Sequence, residues 1–168
     1  AVAVKADSGA MGGRTSHEFV LRHPQGEDAF VQCEQCGYAA NVEAAAFAIE
    51  PGASDPPEPA RKVATPDCKT IQAVADFIGV PTAQTLKAVF FVAERSGEPD
   101  QFVFVVIRGD LEVNEAKLAN ALGGAALRPA TDDEIRAVGA VPGYASPMGL
   151  GGGALVVADR SVWMGANF

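Results

Sequence analysis

Lysine is rarely left in a strand that otherwise reads as buried, yet TLKAVFFVA, residues 85–93, places Lys87 at the head of one. The simplest reading is a strand-end lysine whose stem lies along the sheet while its ammonium reaches water. Arg108-Gly109-Asp110, followed by Asn114-Glu115-x-Lys117, mixes charges at a strand-to-helix junction. That pattern suits a turn, a cap and solvated first-turn charges. It also suits a strand end and a helix start converging on an anion or carbonyl. Gly143-Tyr144-Ala145-Ser146-Pro147 lies in a glycine-rich stretch, where glycine permits close backbone approach and proline fixes the exit. Cys33-x-x-Cys36 has the spacing of half a zinc site or a redox pair, but only Cys68 and the upstream His17 and His23 remain to complete the first, and the second wants a helix N-terminus after a strand, so neither function is expected. Gly12-Gly13-x-x-Ser16-His17-Glu18 has no defensible triad spacing, and no serine sits in a G-x-S-x-G elbow.

The elements that must position these residues are set by periodicity. Glu50 to Asp67, EPGASDPPEPARKVATPD, reads as a proline-rich linker. Before it, Ser16 to His23 and Asp28 to Cys36 read as strands, and YAANVEAAAFA as a short alanine-rich helix. Two strands and a helix do not make an independent domain. After the linker, Thr70 caps a predicted helix with Ile71, Val74, Ala75 and Ile78 on one face, stopped by Gly79 and Pro81. Strands are predicted at Leu86 to Ala93 and at Gln101 to Arg108, the second apolar enough for a central position. Asn114 caps a helix ended by Gly123 and Gly124, and Thr131 to Glu134 opens a capping box whose helix stops at Gly139. ALVVADRSV supplies a last strand. Interleaved helices and strands predict an α+β domain, α/β-like, with a mixed sheet and packed helices.

Composition bounds the rest. The chain has 168 residues, 48% of them apolar, which fits one domain or one plus part of another. No apolar run approaches a bilayer span, and the first residues, AVAVKADSGAMGG, hold no signal-peptide core. Three cysteines, an odd number, point to a reducing, cytoplasmic compartment. A net charge of −8 argues against non-specific nucleic-acid binding through a basic face, though not against a local pocket for one nucleotide end.

Taken in chain order, these segments look like something specific. GAMGGRTSHEF, GED, C-x-x-C-x-YAANVE, KTIQAVADFIGVP, TLKAVFFVA, VIRGDLEVNEAKL, LRPATDDEIRAVGAVPGYASPMGL and VVADRSV together resemble bacterial-type prolyl-tRNA synthetase. Residues 1–48 are similar to a strand-strand-helix segment of its class II catalytic domain. Residues 49–66 match the linker, and residues 67–168 the editing insertion, which is related to free-standing aminoacyl-tRNA deacylases. The family continues past this point with a histidine-bearing stretch.

The resemblance implies hydrolysis of mischarged alanyl-tRNA(Pro) by water attack on the ester, with the terminal ribose hydroxyl as a candidate assistant. A pocket for proline rejects a smaller apolar amino acid by only about 1–3 kcal/mol, so a second sieve is needed. Under the resemblance, Lys87 holds the terminal adenosine or its phosphate. Ile71 and Val74 form the small apolar pocket. Gly143 to Pro147, with Tyr144, Ala145 and Ser146 between, bring backbone N–H groups to the carbonyl. Asp110 and Asn114 are supporting candidates, and no metal is expected. Editing then needs no cofactor. ATP and magnesium belong to the parent, whose adenylation site is not in this chain. His17, Glu18 and Phe19 fall near the parent's aminoacylation region. The implied partners are the tRNA(Pro) acceptor end and the rest of a homodimeric synthetase, with no membrane. Two alternatives remain: an inactive module that binds the acceptor end, and a deacylase for another misacylated tRNA such as cysteinyl-tRNA(Pro).

Overall fold

The computed structural model describes residues 1–7, 15–48 and 56–168. Gly12, Gly13 and the first part of the linker lie outside these residues. The chain forms two compact units, Ala1–Ala48 with Asn114–Ala125, and Ile49–Val113 with Ala126–Phe168.

The first unit holds a four-stranded sheet in the order β2-β1-β4-β3. Its strands are β1 (Val2–Ala6), β2 (Ser16–Val20), β3 (Phe30–Gln32) and β4 (Ala39–Asn41). β1 runs antiparallel to β2, with Lys5 opposite His17, and parallel to β4. Val4 and Ala40 are fully buried where β1 meets β4. The helix expected over residues 38–48 is absent. Ala39–Asn41 is strand, and residues 42–44 form a turn in which Asn41 Oδ1 accepts the Ala44 N–H at 2.9 Å. Two sheet neighbours and a local Asn hydrogen bond outweigh alanine's helix propensity. β1 is an element that the sequence reading lacks, although Val2 and Val4 alternate as a strand should. α2 (Glu115–Ala121) groups with this unit and buries Leu118. Asn120 donates to Asp7 at 2.6 Å, and the Lys117 ammonium donates to the Ala45 carbonyl.

The second unit is built on a mixed sheet ordered β7-β5-β6-β8. β5 (Leu86–Glu94) and β6 (Gln101–Arg108) pair antiparallel over their length, and β7 (Ala126–Pro129) runs antiparallel to the far half of β5. β8 (Leu155–Ala158) runs parallel to β6. The α+β expectation is met, and β6 is central as its apolar run required. Period-two alternation sends Phe102, Phe104 and Val106 to one face with Leu86, Ala88, Phe90 and Val92. Ile135 and Val138 from α3 (Asp132–Ala137) and its cap, the loop residues Ala145 and Leu150, and Val162 from α4 (Arg160–Trp163) pack against that face. Phe104 is wholly buried and meets Phe90 edge-on at 5.1 Å.

α1 (Ile71–Ile78) begins where Thr70 accepts the Ala73 N–H and ends at Gly79, whose φ of 83° suits glycine. Of its predicted apolar face only Ala75 is buried, and Ile78 is 46% exposed. The strand read through Arg160, Ser161 and Val162 is instead α4, because Asp159 accepts the Ser161 N–H and starts a helical turn. β7 is likewise missing from the sequence reading, since Pro129 argues against a strand except at a sheet edge, which is where β7 lies.

Candidate functional site

Ile71, Lys87 and Asp110 come together at one end of the β5–β6 pair. The joint is Gly109, whose N–H donates to the Thr85 carbonyl at 2.7 Å. A methyl group placed on Gly109 would lie 2.1 Å from Thr85 Oγ1, 2.8 Å from Ile71 Cγ2 and 2.8 Å from the Thr82 carbonyl oxygen. The absent side chain therefore lets the start of α1, the 3-10 turn Thr82–Gln84 and the end of β6 close on one another. Thr85 is buried, and its hydroxyl donates to the Thr82 carbonyl at 2.8 Å.

Lys87 stands opposite Ile107 in the β5–β6 register. Its side chain is 16% exposed, and its ammonium meets Glu112 at 2.5 Å, on a carboxylate side chain 89% exposed. The stem is thus enclosed while, among the described residues, the ammonium's hydrogen bond goes to a solvent-side partner. Beside it Arg108 grips Asp110 with two hydrogen bonds, at 2.6 and 2.9 Å. That guanidinium, and more weakly the Lys87 charge, hold the Asp110 carboxyl below the usual aspartate range. Asp110 is therefore a fixed anion committed to Arg108, and not a proton carrier near neutral pH.

β7 pairs only with residues 91–94 of β5. Among the described strands, β6 alone flanks β5 at Leu86 to Val89. This half of β5 is an open edge, with Lys87 on one face and Leu86 and Ala88 packed against the core.

The loop of residues 141–153 lies on the core side. Tyr144 donates to the Val141 carbonyl at 3.0 Å, with Pro142 and Gly143 (φ 80°) as the central pair of a β-turn. Met148 donates to Ser146 Oγ at 3.2 Å, and Ala145 packs on the apolar face of the sheet. Tyr144 is half exposed, and Pro147 carries no N–H. No described contact joins the loop to Lys87. Val74 is half-buried on α1. Asn114 caps α2 in the first unit, accepting the Lys117 N–H at 3.0 Å. Thr85 and Glu112 are members of the cluster that the sequence reading does not single out. Glu112 lies within RGDLEVNE, but a glutamate between turns reads as a solvated charge.

In the first unit an open cleft of about 860 Å³ is lined by Glu18, Arg22, His23, Asp28, Asn41 and Glu43, among others. Phe19 is exposed. Cys33 and Cys36 flank the turn from β3 to β4. Backbone N–H groups of Cys36 and Gln35, then the Cys36 thiol, pull the Cys33 thiol below its usual range. Among the described residues no three His, Cys, Asp or Glu side chains gather as metal ligands.

Similarity to known proteins covers both parts of the chain. Residues 65–167 match the family model described as the aminoacyl-tRNA editing domain. The chain is 47% identical over 165 residues to a proline-tRNA ligase of Dehalococcoides mccartyi, covering 98% of this chain and 28% of that protein. It is 42% identical over 174 residues to the proline-tRNA ligase of Salinispora tropica, covering 98% of this chain and 29% of that protein. The chain thus spans under a third of the length of these relatives. A crystal structure described as that of a candidate trans-editing enzyme for prolyl tRNA synthetase aligns with 56% of this chain and 57% of its own, at 24% identity and a TM-score of 0.48.

Proposed function

Because the chain belongs to the aminoacyl-tRNA editing domain family, we propose that its second unit hydrolyses the ester of alanyl-tRNA(Pro) within a proline-tRNA ligase. The observation that carries this reading is the cluster of Ile71, Thr85, Lys87 and Gly109 at the open end of β5. An apolar wall and a cation with an enclosed stem stand within one strand end. Those are the two features that an alanyl ester on a terminal adenosine asks for. Lys87 takes the nucleotide's phosphate, and Ile71 with Val74 bounds the methyl.

Water is the nucleophile. Its oxygen bonds to the ester carbon, the carbon–oxygen bond to the ribose breaks, and the ribose oxygen takes a proton. Alanine and free tRNA leave. The developing oxyanion needs donors. Tyr144 and Met148 use their N–H groups within the loop, so Gly143, Ala145 and Ser146 are the loop's donors in this proposal. Substrate bound across the open edge of β5 reaches Lys87 from one side and the loop from the other.

The test is a deacylation time course with alanyl-, cysteinyl- and prolyl-tRNA(Pro), beside Lys87→Ala and a buffer blank. Hydrolysis of alanyl-tRNA(Pro) alone, reduced at least tenfold by Lys87→Ala, is the expected result; losing one charged contact of about 1.5–3 kcal/mol accounts for that size. Equal rates for Lys87→Ala and wild type would remove Lys87 from the site. Preference for the cysteinyl ester would reassign the substrate.

A further inference from the structure

We propose that Glu112 is a built-in competitor for the Lys87 ammonium, occupying the place of the substrate's phosphate and setting the threshold for acceptor-end binding. This rests on the reading of Lys87 as the phosphate receptor.

Three observations lead to it. The Lys87–Glu112 pair is close, 2.5 Å, yet sharply asymmetric, with side chains 16% and 89% exposed. Only the glutamate can swing into water without disturbing packing. Next, the neighbouring cation is already taken, since Arg108 is locked to Asp110 by two hydrogen bonds. An incoming anion meets Lys87 as the exchangeable charge at this end of the sheet. Last, the chain carries a net charge of −8. An unshielded ammonium would attract any phosphate, and a tethered carboxylate raises the bar for weak anions.

The exchange balances in charge: the phosphate displaces the carboxylate, which returns to water. An exposed ion pair is worth about 0.2–1 kcal/mol. Removing the competitor should therefore tighten binding by about 1.4- to 5-fold.

Binding of the trinucleotide C-C-A is measured by calorimetry for wild type, Glu112→Gln, Lys87→Ala and the double variant, with deacylation kinetics in parallel. Glu112→Gln is expected to lower the trinucleotide Kd by that factor and to lower KM rather than alter kcat. In the Lys87→Ala background the same substitution should change nothing. An unchanged or raised Kd on Glu112→Gln, or a fall in kcat, would overturn the proposal, because Glu112 would then be holding Lys87 in place. Absence of trinucleotide binding by wild type would overturn it as well. The two ideas fail separately. If Glu112→Gln tightens binding while no ester is hydrolysed, the deacylase reading falls and the competitor stands. If hydrolysis depends on Lys87 but Glu112 is silent, the reverse holds.

Discussion

Gly109 shapes the candidate site without offering a side chain to it. Its N–H ties β6 to Thr85, and the space where a Cβ would sit is filled by Thr85 Oγ1 and Ile71 Cγ2. Alanine at this position must push apart a packed side chain and the Thr82 backbone oxygen. Gly109→Ala is expected to lower stability by about 1–3 kcal/mol, as overpacking does, read as a lower urea midpoint with unchanged slope. Lys87 and Asp110 stand out in the sequence as a strand-head lysine and a charged junction, whereas Ile71 reads as a core-facing helix residue and becomes a candidate only through the family resemblance. That they share one end of the sheet depends on Gly109, and nothing in a lone glycine announces the neighbours it admits. Asn114 shows the opposite case, a polar residue in a promising motif whose amide serves as a helix cap.

At the scale of elements, the sequence was clearest where a local rule and the tertiary fold agree. Thr70 and Gly79 bound α1, and Thr131 with Glu134 forms both halves of a capping box on α3. It misled where tertiary pairing overrides propensity, as in the alanine-rich stretch that became β4 and a turn. The α3 cap also predicts a pH response. Arg128 first, then the Thr131 N–H and hydroxyl, hold the Glu134 carboxyl down from 4.5 to about 2. A depressed carboxyl stabilises fully above its unfolded value and loses that contribution as pH falls through its folded value. The gap in urea midpoint between wild type and Glu134→Gln is therefore expected to be constant above pH 4.5 and to close as pH falls toward about 2. A gap that persists at about pH 2 would show that the ion pair is not its source.

For the whole molecule, charge is the governing quantity. With 21 acidic against 13 basic residues, the net charge opposes non-specific polynucleotide binding, and under the proposed function recognition rests on the exchangeable ammonium of Lys87. For single strands the logarithm of affinity falls by about 0.7 per phosphate neutralised for each unit of log salt. Trinucleotide binding is thus expected to show a slope near 0.7. A slope of several units would require further cationic contacts. No described helix is long and apolar enough to cross a membrane. One small fastening has consequences at this scale. Asn167 accepts the Glu58 N–H at 2.8 Å and donates to the Pro56 carbonyl at 3.0 Å. Residues 56–58 and Asn167 of the second unit are therefore held side by side. A single asparagine thereby clips together stretches 109 and 111 residues apart in sequence, and its removal would free both at once.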